Sequence, residues 1–141
     1  MAKAIIHIIT GDGKGKTSSA LGLALRAVGA NKRVKLIQFM KKPIFSEHKA
    51  IEKYKLPIDV ECFGIGFYKI LGDNHTEKEH KESCSKALKT AAKALESKKY
   101  DLIILDEINV AIGFDLISAE NVIALLDTAR IKQCYDVFRA N

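Results

Sequence analysis

Residues 10–17 read Thr10-Gly11-Asp12-Gly13-Lys14-Gly15-Lys16-Thr17, and they follow directly on the apolar run Ala4-Ile5-Ile6-His7-Ile8-Ile9. A strand that feeds a glycine-rich turn and then opens a helix at Gly-Lys-Thr sets a cradle of backbone N–H groups at the positive end of that helix. Oligophosphate is the natural guest. Gly11, Gly13 and Gly15 let the chain curl without Cβ clashes. Lys16 would reach the terminal phosphates, and the Thr17 hydroxyl would complete a Mg²⁺ shell. Thr10, Asp12, Lys14 and Ser18 complete the candidate phosphate site. A standard Walker A loop has glycine where Thr10 stands, and the nearest glycine, Gly11, comes one residue late. The competing interpretation is a tight glycine turn with no ligand.

A second chemical feature lies downstream. Asp101-Leu102-Ile103-Ile104-Leu105-Asp106-Glu107 has the form of a Walker B strand. Its apolar residues predict a buried central strand, with Asp106 and Glu107 emerging at the carboxyl end, where Thr17 should also lie. A carboxylate there can hold Mg²⁺ directly or through water. The metal candidates are therefore Thr17, Asp106 and Glu107. Four other residues stay open between roles. Arg26 either faces the phosphates or solvates its helix. Gln38 and Lys41, with Phe39, either contact ligand or form a polar cluster at a strand end. No Ser/His/Asp arrangement for acyl transfer is evident, so no residue is assigned to covalent catalysis. Lys16, Arg26 and Glu107 are the candidates for positioning and charge stabilisation.

These groups need a scaffold. Ser18 to Val28 carries Leu21, Ala24, Leu25 and Val28 at helical spacing, with Gly29 as terminator. Arg33 to Phe39 alternates and predicts a second strand. Glu47 to Tyr54 predicts a short helix and Ile58 to Cys62 a short strand. Phe63-Gly64-Ile65-Gly66-Phe67-Tyr68 reads as a flexible, surface glycine-aromatic loop. Thr76-Glu77-Lys78-Glu79 is a capping box that launches a long helix with an inner stripe of Cys84, Leu88, Ala91 and Leu95. Ser118 caps a last helix carrying Val122, Ile123, Leu125 and Leu126. Strands alternating with helices predict a P-loop NTPase-like α/β fold, a mainly parallel sheet covered by helices on both faces. Its ligand site falls at the carboxyl ends of the strands.

A chain of 141 residues is expected to be one domain. No apolar stretch reaches the roughly 18 residues of a membrane span. The first residues do not read as a signal peptide, because Ile5 to Ile9 is short, holds a histidine and runs into Gly11 and Asp12. Cys62, Cys84 and Cys134 form no Cys-x-x-Cys pair and read as free thiols of a cytoplasmic protein. His75 and His80 read as solvated. The net charge of +6 favours anionic partners, for which nucleotide phosphate suffices. Lys41-Lys42 and Lys98-Lys99 read as solvated turn residues, so no nucleic-acid track is expected.

The chain resembles the ATP:corrinoid adenosyltransferases of the CobA/BtuR/CobO type. The resemblance is carried by residues 10–17, by Leu21-Gly22-Leu23-Ala24-Leu25-Arg26-Ala27, and by Gln38-Phe39 with Lys41. It continues through Gly64-Ile65-Gly66-Phe67 and Leu105-Asp106-Glu107-Ile108-Asn109. These motifs span most of residues 3–127 in the family's order, and the off-pattern glycine loop is itself a family mark.

The resemblance implies a transferase of cobalamin biosynthesis or salvage. It would move the 5′-deoxyadenosyl group of ATP to the cobalt of a reduced corrinoid, such as cob(I)alamin or cob(I)yrinic acid a,c-diamide, and release triphosphate. ATP and Mg²⁺ would be bound by the loop and the acids, Arg26 would contact the nucleotide, and Phe67 and Tyr68 would lie against the corrin ring. It leans towards a homodimer and leaves room for an electron-donating reductase as partner. Two departures stand out. Tyr68-Lys69-Ile70-Leu71 replaces the family's aromatic-acidic cluster, and the chain has no tryptophan. Ile131 to Asn141 shows neither the family's Thr-Gly-Arg turn nor a following strand. The domain, 1–141, is thus expected to lack the usual C-terminal strand. The competing functions are a nucleotide-binding P-loop protein without transferase activity and a P-loop NTPase acting on nucleic acid or protein.

Overall fold

The computed structural model describes residues 4–66, 68–69, 72–132 and 135–140. The chain order is β1 (Ile6–Thr10), α1 (Lys16–Gly29), β2 (Val34–Gln38), α2 (Ser46–Lys53), β3 (Ile58–Cys62), α3 (Glu77–Ser97), β4 (Leu102–Asp106), α4 (Ile108–Gly113), α5 (Ala119–Lys132) and β5 (Tyr135–Ala140). The strands form one sheet in the order β1-β5-β4-β2-β3, and each of its neighbouring pairs runs parallel.

Alternation along β2 and β4 explains why helices cover both faces. Val34, Leu36, Leu102 and Ile104 point to one side and pack with Ala20 and Ala24 of α1. Ile37, Phe39, Ile103 and Leu105 point to the other and pack with Cys84, Ala87, Ala91 and Leu95 of α3 and with Val122 and Leu125 of α5. A strand covered on both faces reads as a nearly continuous apolar run, and β4 is buried at every position, apolar from Leu102 to Leu105 and ending in Asp106.

The Thr76 capping box forms as expected: Glu79 N–H donates to Thr76 Oγ1 at 3.2 Å, and Thr76 N–H donates to Glu79 Oε2 at 2.6 Å. Ser118 Oγ accepts from Asn121 N–H at 3.2 Å.

Four expectations need correction. First, a strand does follow the last helix: β5 pairs with both β1 and β4. Its segment, Tyr-Asp-Val-Phe-Arg-Ala, places two charges in six residues and so does not read as a buried run.

Second, His80 is buried, not solvated, because it meets Asp73 through Nε2 at 3.1 Å and an edge of Tyr68. Third, the glycine-aromatic loop is not a loose surface segment. Gly64 lies so close to the backbone of Met40 and Lys41 that a Cβ there would collide with it, and Tyr68 belongs to the core. Fourth, α4 was not anticipated; it begins just after Glu107, which adopts a left-handed conformation at φ 66°.

Cys62 and Cys84 are free thiols; Cys134 lies outside the described residues. No helix among the described residues is long and apolar enough to cross a membrane.

Candidate functional site

The glycine loop leaves β1 and enters α1 through three residues with positive φ, Gly11 (136°), Gly13 (92°) and Gly15 (102°). Residues with a Cβ adopt such angles only under strain, so glycine is what lets this loop close on itself. Gly15 caps α1 without any side-chain hydrogen bond to the first turn, and that turn carries no acidic residue. Its amide donors and its dipole therefore remain available to an anion. Lys16 is buried and curls back into the loop: its Nζ donates to the carbonyls of Gly11 at 2.5 Å and Gly13 at 2.7 Å. Thr10, Gly11, Asp12, Gly13, Lys14, Gly15 and Ser18 are exposed around it.

The expected approach of the two motifs is present. Thr17 Oγ1, in the first turn of α1, donates towards Asp106 at 3.3 Å (Oδ1) and 3.4 Å (Oδ2), across 89 positions of sequence. Asp106 is 1 % exposed at the end of β4, whereas Glu107 is half-buried just beyond it.

Lys41 enters the same space from the turn after β2. Its Nζ donates to Thr17 Oγ1 at 2.8 Å and to Asp106 Oδ2 at 3.1 Å. Glu47 lies 3.8 Å away and Glu107 3.9 Å away. Lys41 is therefore not a solvated turn residue; the acids around it draw it inward.

Hydroxyl and carboxylate oxygens form a hard donor set that suits Mg²⁺, and the position already accepts a positive group. Among the described residues no cluster of three or more His, Cys, Asp or Glu side chains could hold a metal. A metal at Thr17 and the acids would accordingly complete its shell with phosphate oxygens and water, the ordinary habit of Mg²⁺ beside nucleotides.

A relay of hydrogen bonds supports Asp106 from behind. Gln38 is wholly buried, and its Nε2 donates to Asp106 Oδ2 at 3.0 Å. Its Oε1 accepts from His48 Nε2 and from the Cys62 thiol, the latter at 3.2 Å. His48 Nδ1 accepts the Phe45 N–H at 3.1 Å, which fixes the proton on Nε2. Burial, then the neighbouring Glu47 carboxylate, pushes the Cys62 thiol up to about 11. Cys62 is accordingly a neutral donor and not a nucleophile.

Beside Lys41 opens a cavity of about 280 Å³ lined by Met40, Ile44, Phe45, Ile65 and His75, among others, with more apolar than polar surface. Ile44 and Phe45 are exposed.

Three expected ligand contacts are not assembled this way. Arg26 sits exposed in the last turn of α1, about 15 Å along the axis from Lys16. There it faces the helix's negative end instead of the loop. Gln38 is wholly buried and bonded to Asp106. Tyr68 points inward, 6 % exposed, in T-shaped contact with His80 and Phe114 at 4.8 and 5.1 Å between centroids and with Lys69 Nζ over its ring, so it is packed into the core. Phe67 lies outside the described residues. Conversely, Glu47, His48 and Phe45 were not anticipated. The only signal was the exposed pair Ile44-Phe45 after Pro43, two large apolar residues in a loop where burial was not demanded.

The family model described as ATP:corrinoid adenosyltransferase BtuR/CobO/CobP matches residues 2–137. The corrinoid adenosyltransferase of Escherichia coli K12 is 29 % identical over 126 residues, covering 89 % of this chain and 62 % of that protein. The corrinoid adenosyltransferase CobA of Salmonella typhimurium LT2 shows the same identity and coverage. That of Pseudomonas aeruginosa PAO1 is 28 % identical over 123 residues, or 86 % of this chain and 59 % of that protein. The chain thus spans about three-fifths of the length of these relatives.

Proposed function

The chain belongs to the ATP:corrinoid adenosyltransferase family, and from that premise we propose that it transfers the 5′-deoxyadenosyl group of ATP to the cobalt of a reduced corrinoid. The observation that carries this reading is the meeting of the Lys16 loop, Thr17, Asp106 and Lys41 at the carboxyl ends of β2 and β4, with an apolar cavity opening beside Lys41.

In this reaction the reduced cobalt supplies the electron pair. A cobalt–carbon bond forms at C5′ as the bond from C5′ to the α-phosphate oxygen breaks, and triphosphate leaves with the electrons. No covalent nucleophile is required of the protein. Its tasks are to hold both substrates in line and to stabilise charge on the leaving triphosphate.

Lys16 and the amides of residues 11–17 meet that charge. Binding replaces the Gly11 and Gly13 carbonyls with phosphate oxygens as partners of Lys16 Nζ, exchanging neutral acceptors for charged ones. Thr17, Asp106 and Glu107 would hold Mg²⁺, which neutralises phosphate charge when bound. Gln38 and His48 keep the Asp106 carboxylate oriented. Met40, Ile44, Phe45 and Ile65 offer an apolar surface to the acceptor, a role the sequence resemblance gave to Phe67 and Tyr68.

The test is to incubate the chain with ATP, Mg²⁺ and a chemically reduced corrinoid. Cobalt–carbon bond formation is followed optically while phosphorus NMR identifies the released phosphate. Adenosylated corrinoid with stoichiometric triphosphate supports the proposal. ATP binding without turnover points to a nucleotide-binding protein, and ADP with orthophosphate to an NTPase.

A further inference from the structure

We propose that Lys41 is a built-in competitor for the metal: its ammonium occupies the position between Thr17 and Asp106, and a divalent cation enters only by displacing it. The inference rests on the reading of Thr17, Asp106 and Glu107 as the metal-binding set. Lys41 Nζ is bonded to Thr17 Oγ1 at 2.8 Å and to Asp106 Oδ2 at 3.1 Å, with Glu107 and Glu47 just under 4 Å away. A metal bonded to the same two oxygens would stand within a few ångströms of a full positive charge. At that separation two like charges repel strongly even in a screened protein surface. The ammonium and the metal are thus alternatives.

The surroundings show why the lysine is held there. Asp106 is fully buried, and a buried carboxylate without a counter-charge is costly. Lys41 supplies that charge and is itself shielded, its side chain 17 % exposed. The close packing of Gly64 on the Met40 and Lys41 backbone fixes the turn from which the side chain reaches inward. Gly64 N–H also donates to the Lys41 carbonyl at 3.1 Å. Lys41 further lines the apolar cavity, so its displacement delivers a cation to the edge of the surface assigned to the acceptor. A bare divalent ion has to overcome this charge alone, whereas a metal that arrives with triphosphate brings negative charge that compensates the displaced ammonium. Selection of the metal–nucleotide complex over the free ion follows.

The test is an electron paramagnetic resonance titration of Mn²⁺ without nucleotide, on the wild-type chain and on Lys41→Met. The variant is expected to bind Mn²⁺ at least about tenfold more tightly, and Lys41→Arg is expected to stay as weak as wild type. Equal or weaker binding by Lys41→Met overturns the inference. If that variant does not fold, Lys41→Gln is judged by the same criteria. A parallel titration with ATP separates the two levels. Uptake of Mn²⁺ by wild type with ATP, but no gain in the variant without it, overturns the competition alone. No uptake in either condition overturns the metal assignment and the inference with it.

Discussion

Gln38 and Asp106 are registered partners on the adjacent strands β2 and β4, and Gln38 Nε2 donates to Asp106 Oδ2 at 3.0 Å. The acid at the end of β4 is therefore oriented by its neighbour strand. Through Gln38 Oε1 the same amide reaches His48 and Cys62, so one buried side chain joins the carboxylate to α2 and β3.

Replacing Gln38 with leucine should expose the cost of that connection. The substitution removes the donor to the buried Asp106 and the acceptor for the partly buried His48 and Cys62. Unsatisfied buried partners cost about 1–3 kcal/mol. Urea denaturation should show a loss of that size, with nucleotide affinity falling as well because Asp106 loses its orientation.

Two glycines should respond in opposite directions. A Cβ at Gly64 collides with the Met40 and Lys41 backbone, so Gly64→Ala should destabilise by about 1–3 kcal/mol. Gly22 lies exposed within α1 with nothing near its would-be Cβ. Gly22→Ala should stabilise by roughly 0.5–1 kcal/mol, since alanine has less chain entropy to lose. Thermal melts of the two variants check both signs.

Asp73 carries an acid-stability signature. The hydrogen bond from His80, and then the N–H groups of Lys69 and His75, hold its carboxyl down to about 2, against an ordinary value of 3.8. A depressed folded value means the contribution is complete above about pH 4 and fades as pH falls towards 2. Asp73→Asn should be less stable than wild type at neutral pH, and the gap should close between pH 4 and 2. A gap that stays constant across that window contradicts this assignment.

Glu107 should govern the metal dependence of nucleotide binding. Its carboxylate lies at the edge of the Thr17–Asp106 pair and within 3.9 Å of Lys41. Glu107→Ala is expected to reduce the gain in ATP affinity that Mg²⁺ brings by about tenfold, an energy of about 1.4 kcal/mol. Calorimetric titrations with and without the metal measure it.

Much of this arrangement was legible in the sequence because it is written locally. Residues 10–17 encode a turn through their glycines, and Asp101 to Glu107 encode a buried strand through an unbroken apolar run. Ile58–Cys62 coincides with the expected strand to the residue.

What escaped is relational. The charge of Lys41 looked like a surface feature, since nothing local says that Asp106, Glu107 and Glu47 will converge on it. His80 looked solvated because Asp73 and Tyr68 reach it from another segment. Arg26 stood open between the phosphates and solvent, and helix rise carries it to the exposed last turn of α1. The strand at 135–140 mixes charges with apolar residues, so only its pairing with β1 and β4 reveals it.

The Lys16 loop and the acids at the end of β4 are expected to grip a metal-bound triphosphate. Isothermal titration of the wild-type chain and Lys16→Ala with ATP and Mg²⁺ decides this. Wild type should show one saturable site per chain, and the variant a loss of at least about 100-fold, close to 3 kcal/mol, with the melting temperature little changed. Equal affinity in the two proteins, or no binding by wild type, would contradict it.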